Sequence, residues 1–551
     1  MTTLSRRHLL AGAGATAAAL ALSACSADGE GAGGTAGNGG GEGGSSGTRA
    51  QAPNYVPFTE VTPDLPGDNA LGIQPAFFSY PADPPRMREQ PPAETDPIEF
   101  LCQGAPPPNP FGDSAWYGLL SSATANKFNF NWGSWTEYEQ KFQVTIASGD
   151  LPELMMLPST APRKPQLLES AFTDLTPFLS GSAVEDYPGL ASIPTETWTI
   201  PTLGSRIWGV TQPRPAVGRI IVGSPVTART AGYEGDFSAS SLDEWVSMCI
   251  ECSDRSKNIF ALGADPITSI LNLTAMMAGS PNVWGEENGA FVHRYEHETF
   301  RPALEAVKRL WAEGALHPNS FSEPGSYGAW WNAGVTVFKH QSFEYMQSEL
   351  MRPGLEAVIP ELPGLDGGTS QIYLKRPGYG DFVAVSKQTS DDRVREILQF
   401  MDYFAAPFGT QEYLDVQYGV EGTHYSMESG APIANKDATQ QEALNARAYL
   451  GQQVNSQIYV PEDQSVAEEL HQWQLDHQEQ GVKAAHWELY SEWVSTNESA
   501  AGKDVSDVFR RWIQNEVSDQ DLDRGIEKFV SDFADKAREE YAKAKENGGI
   551  A

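Results

Sequence analysis

His293-Arg294-Tyr295-Glu296-His297 follows the H-x-x-E-H order in which some zinc peptidases set two imidazoles beside a general base. That chemistry needs both histidines on one face of a helix. Here Asn288-Gly289 makes a hairpin-like turn and Phe291, His293 and Tyr295 alternate, so the segment reads as a surface strand. Cys249-Ile250-Glu251-Cys252 has C-x-x-C spacing, but a reactive thiol of this type needs a helix N-terminus. This pair falls near the end of the helix that Ser241 opens, and a local disulfide or two free thiols is expected; Cys102 is expected to be buried. Asp519, Asp521, Asp523 and Gly525 approach a calcium loop, yet the glycine comes one place late and Val530 stands where a bidentate glutamate belongs. A helix-capping acidic turn is the better reading. There is no G-x-S-x-G, Walker loop or Rossmann fingerprint, and 72 acidic residues offer too many carboxylate pairs to single out two. No catalytic residue, metal or cofactor is therefore assigned. The aromatics are more informative. The chain has 14 Trp, and Trp116, Trp208 and Trp284 fall in expected loops. Sugars present flat C–H faces that stack on such rings, while carboxylates and amides fix their hydroxyls. Trp330-Trp331, just before a strand, reads as core.

The elements that would position these groups alternate. Strands are expected at Pro97–Leu101, Phe128–Trp132, Glu153–Leu157, Arg219–Val222, Val335–Phe338 and Phe382–Val385, with a helix over Thr136–Ile146. Ser241-Leu242-Asp243-Glu244 has the form of a capping box and opens a helix toward Cys252. Helical spacing recurs at Leu304, Val307 and Leu310, ended by Gly314, and again over Val394–Phe404. Two runs in the tail, Val505 to Ile513 and Ile526 to Phe533, read as docking helices. The 551 residues carry 38 Lys+Arg against 72 Asp+Glu, a net charge of -34. That balance argues against nucleic acid and against docking on anionic lipid through a basic patch. Four cysteines exclude a disulfide-stapled scaffold.

The N-terminus is a targeting signal. Arg6-Arg7 precede the uncharged run Ala11–Leu22, which is too short to span a bilayer and reads as a signal peptide over residues 1–24, of the twin-arginine type. Leu22-Ser23-Ala24-Cys25 resembles a bacterial lipobox, with cleavage before Cys25 and lipid on its sulfur. Ser26–Ala50 holds 11 glycines and almost no apolar bulk, so 25–50 is read as a flexible leash. Residues 51–96 are Pro-rich and read as an extended arm on the surface. The location expected is the extracytoplasmic face of the cell membrane, through a lipid anchor.

The lipobox and leash, the helix Trp135–Ile146 running into Ala147-Ser148-Gly149-Asp150-Leu151-Pro152, and Leu310-Trp311-Ala312-Glu313-Gly314-Ala315-Leu316 resemble family 1 extracellular solute-binding proteins. So do Pro360–Gly367 and Tyr418–Tyr425, which look like the long lipoprotein branch associated with sugar ABC importers. The long arm, the twin arginines and the extended tail depart from that pattern. The resemblance implies an α/β, two-lobed periplasmic-binding-protein-like fold, its discontinuous lobes joined by a hinge: 97–215 with 370–410, and 216–369 with 411–551. It implies a monomer that captures a carbohydrate, of oligosaccharide size, between the lobes and delivers it to ABC permease subunits without catalysis. The residues it would place at the cleft are Trp116, Asp150, Ser159, Trp208, Trp284, His340, Gln341, Tyr379 and Asp381. A surface glycoside hydrolase, or a solute sensor or adhesin without a transporter, would share the composition. Replacing Cys25 by Ser should move the protein from the membrane fraction to the medium; a Cys25→Ser protein that still sediments with membranes would remove the lipid anchor from this reading.

Overall fold

The computed structural model describes residues 51–88, 94–134, 136–442, 449–547 and 549. Residues 1–50, read from the sequence as signal peptide, Cys25 and leash, lie outside the described residues, as does Trp135. The strands that carry the cores are β1 (Ile98–Gln103), β2 (Phe128–Gly133), β3 (Leu154–Leu157), β4 (Arg219–Gly223), β5 (Phe338–Ser342) and β6 (Phe382–Val385). β1, β2 and β3 are parallel, and β6 joins β3 antiparallel, giving the order β6-β3-β1-β2. Such a sheet is covered on both faces, so its inner strands are apolar along their length rather than alternating. β3 is Leu-Met-Met-Leu and every residue of it is buried.

The chain builds two large cores. The first draws on Ile98 through Val210, leaves, and resumes from Phe382 through Leu450. The second spans Ile221 to Phe338 and is completed by Val494 to Tyr541 from the tail. The first core continues through Val416, Tyr449 and Leu450, past the boundary at 411 read from the sequence. The tail supplies helices Glu492–Ile513, Asp519–Phe529 and Asp535–Glu546, whose Val505, Phe509, Trp512, Phe529 and Tyr541 pack into the second core.

Local signals explain most of these elements. Ser241 caps Leu242–Glu251 by accepting from the Glu244 N–H at 3.3 Å; Glu244 reaches back to the Ser240 N–H at 2.7 Å, one residue earlier than a capping box would have it. Ser518 and Asp521 do form the reciprocal box, so the acidic turn at 519–525 is a helix start. His293 closes a hairpin strand, Ala290–His293, opposite Trp284, as the alternation suggested, but His293 and Phe291 are buried rather than at the surface. Cys249 and Cys252 are two free, buried thiols, and burial pushes Cys252 up to about 12. One strand is displaced: Val335–Phe338 was expected, but β5 runs from Phe338 to Ser342 against β4. Val335 and Val337 instead hydrogen-bond the backbone of Phe260, a partner that sequence periodicity does not reveal.

The Pro-rich arm is more than a surface coating. Ala76–Phe77 pairs in parallel with Ile458–Tyr459, and the Phe77 ring lies 4.4 Å from that of Phe408. The Tyr80 hydroxyl donates to the Thr410 carbonyl at 2.7 Å. Arg88 grips the fully buried Asp402 of helix Asp391–Phe404 through Nε and Nη2, at 3.1 and 3.0 Å. Asp402 also accepts from the N–H groups of Gly189 and Leu190, at 2.7 and 3.0 Å. Proline removes the periodicity that would have announced these contacts, because the arm docks one residue at a time.

Asp402→Ala leaves two buried N–H groups and a guanidinium without their acceptor, and should cost about 3 kcal/mol in urea unfolding; a loss below about 0.5 kcal/mol would mean that the arm is held elsewhere. Burial also holds three histidines of this body neutral: His340 down at about 3, His486 at about 4, and His293 well below its usual value. Each folded pKa lies below the unfolded ~6.5, so their stabilisation is complete above that pH and falls away as pH drops toward the folded values. His340→Gln should therefore flatten the fall in melting temperature between about pH 6.5 and 4; an unchanged slope would show that this imidazole is not buried neutral.

Candidate functional site

Between the two cores the chain crosses on a narrow ribbon. One crossing segment runs from Val210 to Val217 and the other from Leu374 to Val383, antiparallel, with bridges Val210–Val383, Pro213–Gly378 and Val217–Leu374. Two close approaches require glycine: a Cβ at Gly209 would stand 2.3 Å from the Val383 carbonyl oxygen, and one at Gly218 2.4 Å from that of Tyr373. A third crossing follows Leu450 and leads to Ile458.

Side chains alternate across such a ribbon. On one face stand Gln212, Arg214, Lys375 and Tyr379. Tyr379 donates its backbone N–H to the Gln212 carbonyl at 2.9 Å, and its ring lies 5.3 Å from Tyr449 of the first core. The Arg214 guanidinium sits over the Tyr379 ring at 4.6 Å. Its Nε and Nη2 donate to Gln212 Oε1 at 3.3 and 3.2 Å, while Nη1 pairs with Glu344 Oε1 at 3.3 Å. Lys375 Nζ takes the other oxygen of Glu344 at 2.6 Å. Glu344 belongs to a short turn, Phe343–Tyr345, at the end of β5, so this ion pair joins the ribbon to the second lobe. Tyr345, in the same turn, leaves its ring largely in solvent. The ribbon also borders a cavity of about 160 Å³ lined by Pro213, Arg214, Pro215, Leu374, Ser456 and Trp487.

The first lobe presents the C-terminal end of its sheet to the same region. In open α/β sheets ligands bind outside the carboxyl ends of the strands. Ser159, two residues past β3, donates its N–H to Asp381 Oδ1 at 2.7 Å. The Thr211 hydroxyl donates to the carbonyls of Tyr379 and Asp381 at 2.8 and 2.9 Å, fixing the approach of β6. Lys164 Nζ donates to the Ser159 carbonyl at 2.7 Å, and burial draws its pKa down to about 8 despite the attraction of Asp381. Burial raises Asp381 above the usual carboxylate range, against the Ser159 N–H and Lys164.

The structure thus brings Ser159, Tyr379 and Asp381 together. It places the other expected residues elsewhere. Trp116, Trp208 and Trp284 are all buried; none lies in a loop lip. The Trp116 indole, on helix Ala115–Ala123, donates to the Asp415 carbonyl at 2.8 Å, and that of Trp208 to the Leu203 carbonyl at 2.9 Å. Trp284 starts a hairpin and packs edge-on against His293 and Tyr541. Burying rings this large contributes much apolar area to a core, and these three are used there rather than at a sugar site. Asp150 is exposed beyond Gly149, where helix Tyr138–Ser148 ends, at the N-terminal end of β3 and so at the opposite end of the sheet from Ser159. His340 is buried on β5 with Nδ1 at 3.0 Å from the Ser269 hydroxyl, and Gln341 donates to Glu349 at 3.4 Å. The cluster members not expected from sequence are Arg214, Glu344, Tyr345, Lys375 and Tyr449. Each is a single polar or aromatic residue without a motif, and only the crossing of the chain makes them neighbours.

No family model matches the sequence. Lipoprotein LipO of Bacillus subtilis is 19% identical over 464 residues, 78% of this chain and 89% of the relative. The polygalacturonan/rhamnogalacturonan-binding protein YtcQ, also of Bacillus subtilis, is 19% identical over 451 residues, 77% of this chain and 86% of the relative. Among solved structures, the N-glycan transport solute binding protein NgtS of Streptococcus pneumoniae superposes with a TM-score of 0.60 at 12% identity, covering 82% of this chain and 100% of that one. These likenesses show the fold that the sequence led one to expect: the chain has the two-lobed fold of a solute-binding protein.

Proposed function

We propose that this protein is the capture component of a carbohydrate importer, holding an oligosaccharide at the junction of its two lobes. The observation that carries the reading is the ring pair Tyr379 and Tyr449 at the crossing, with the Arg214 guanidinium over the Tyr379 ring and Asp381 two residues further along the chain. Apolar ring faces flanked by a few fixed charges suit the alternating C–H and hydroxyl surface of a sugar. Likeness to YtcQ and NgtS, one named for polysaccharide binding and the other for glycan transport, supports the same class. Closure is a population shift: a ligand that touches both lobes favours the state in which they meet. The Glu344 pairs already tie ribbon to second lobe, so the first lobe's Ser159–Asp381 edge is the surface brought against the ligand. The sequence around Cys25 supports an anchor on the extracytoplasmic membrane face, from which the closed form would dock on permease subunits. The chemistry is binding without bond cleavage.

Purified protein should show a rise in melting temperature with its oligosaccharide, worth about 2.7 kcal/mol at about one hundred times the dissociation constant. The sugar should be recovered intact by mass spectrometry, and Tyr379→Ala should weaken binding about tenfold or more. A cleaved sugar would make the protein a glycoside hydrolase, and no response to any of a broad set of sugars would remove the carbohydrate reading.

A further inference from the structure

The candidate cleft departs in sign from the chain that contains it. Acids outnumber bases by 72 to 38 overall. At the junction of ribbon and second lobe the ratio reverses. Arg214 and Lys375 converge on one carboxylate, Glu344, whose side chain is 2% exposed and whose two oxygens are both taken, at 3.3 and 2.6 Å. Arg219, paired across the ladder with Ser342, is exposed and donates to the His340 carbonyl at 3.2 Å. It forms no ion pair among the described residues. Three cations therefore stand at this junction against one carboxylate, Glu344, which Arg214 and Lys375 already pair.

Their mutual repulsion is felt: burial first, and then Arg214 and Arg219, hold Lys375 below the usual lysine range in spite of Glu344. The first lobe's carboxylate, Asp381, is engaged by the Ser159 N–H and lies within reach of Lys164, so it does not restore the balance. A site for a neutral sugar needs acceptors as much as donors, since each hydroxyl both gives and takes a proton. This wall is rich in donors that cannot accept, and a guanidinium presents two parallel N–H groups matched to a carboxylate.

We propose that the ligand is an acidic oligosaccharide, a glycan containing uronic acid, and that Arg219 with Arg214 and Lys375 receives its carboxylate where the ribbon meets the second lobe. The proposal rests on the carbohydrate reading of the same cleft. Arg214 also supports the Tyr379 ring and Lys375 is half-buried, so Arg219, on the surface and with a side chain that bonds one carbonyl and forms no ion pair among the described residues, is the specificity residue open to clean substitution.

The test is calorimetric titration of the full chain with trigalacturonate and with the neutral galactotriose, at low and high salt. Wild type should prefer the acidic trisaccharide by about tenfold or more, with that preference shrinking as salt is added. Arg219→Gln should keep its melting temperature, bind the neutral sugar as wild type does and lose most of the preference; Arg219→Lys should retain part of it. A neutral sugar bound as tightly as the acidic one, or an Arg219→Gln protein with its preference intact, overturns the acidic assignment and leaves carbohydrate capture standing. Failure of acidic and neutral glycans alike to bind overturns the carbohydrate reading itself.

Discussion

The structure depends on the hydrogen-bonded ribbon by which the chain passes between its cores. Two antiparallel segments, Val210–Val217 and Leu374–Val383, hold each other by main-chain contacts that no side chain can replace. Gly209 and Gly218 let the backbones approach, and Pro213, Pro215 and Pro377 limit how the segments can bend. A two-stranded ribbon of this kind tolerates a wide range of twist without losing its interstrand hydrogen bonds. The cores at its two ends can then move as bodies, each staying packed to interior density.

Charge follows the same division. The chain's excess of acid is solvated, while the junction uses few, buried and shared groups. Glu344 is matched by Arg214 and Lys375, and a second acid in the same lobe, Glu349, is matched by Lys339 at 2.6 Å and Arg352 at 3.1 Å, with the Trp331 indole donating to it at 2.8 Å. A buried carboxylate needs this many donors, since desolvation of one ion exceeds what a single partner returns. The result is a lobe whose fixed interior charges set orientation and whose surface charge keeps it dispersed.

The fold was legible where one physical signal dominated. The apolar helix Phe300–Ala312 and the fully buried β3 follow directly from side-chain spacing, and Ser390, Ser241 and Ser518 mark helix starts by their hydroxyls. Legibility failed where long-range pairing decided: β5 begins at Phe338 because Val335 and Val337 are taken by Phe260, 75 residues earlier in the chain. The arm failed for the opposite reason, since Phe77, Tyr80 and Arg88 each find a different partner. Of the site, Ser159, Tyr379 and Asp381 could be guessed because they end strands at one edge of a sheet. The tryptophans misled, because abundance and expected loop position say nothing about burial. Arg214 and Glu344 were invisible, being 130 residues apart and meaningful only as a pair.

The position of β6 has a kinetic consequence. The sheet of the first lobe is closed by a strand that lies about 225 residues beyond β3, with the part of the second core from Ile221 to Phe338 intervening. During synthesis β3 emerges with one edge unpaired, and it stays so until nearly seven-tenths of the chain has been made. Contacts this distant in sequence slow folding and leave a hydrophobic strand edge open in the interval. The second lobe meets the same delay, because its helices Glu492–Ile513 and Asp519–Phe529 arrive last. Neither lobe is thus a contiguous stretch of chain, the first being complete at Leu450 and the second only at Tyr541, and a truncation near the C-terminus strips a core rather than a tail.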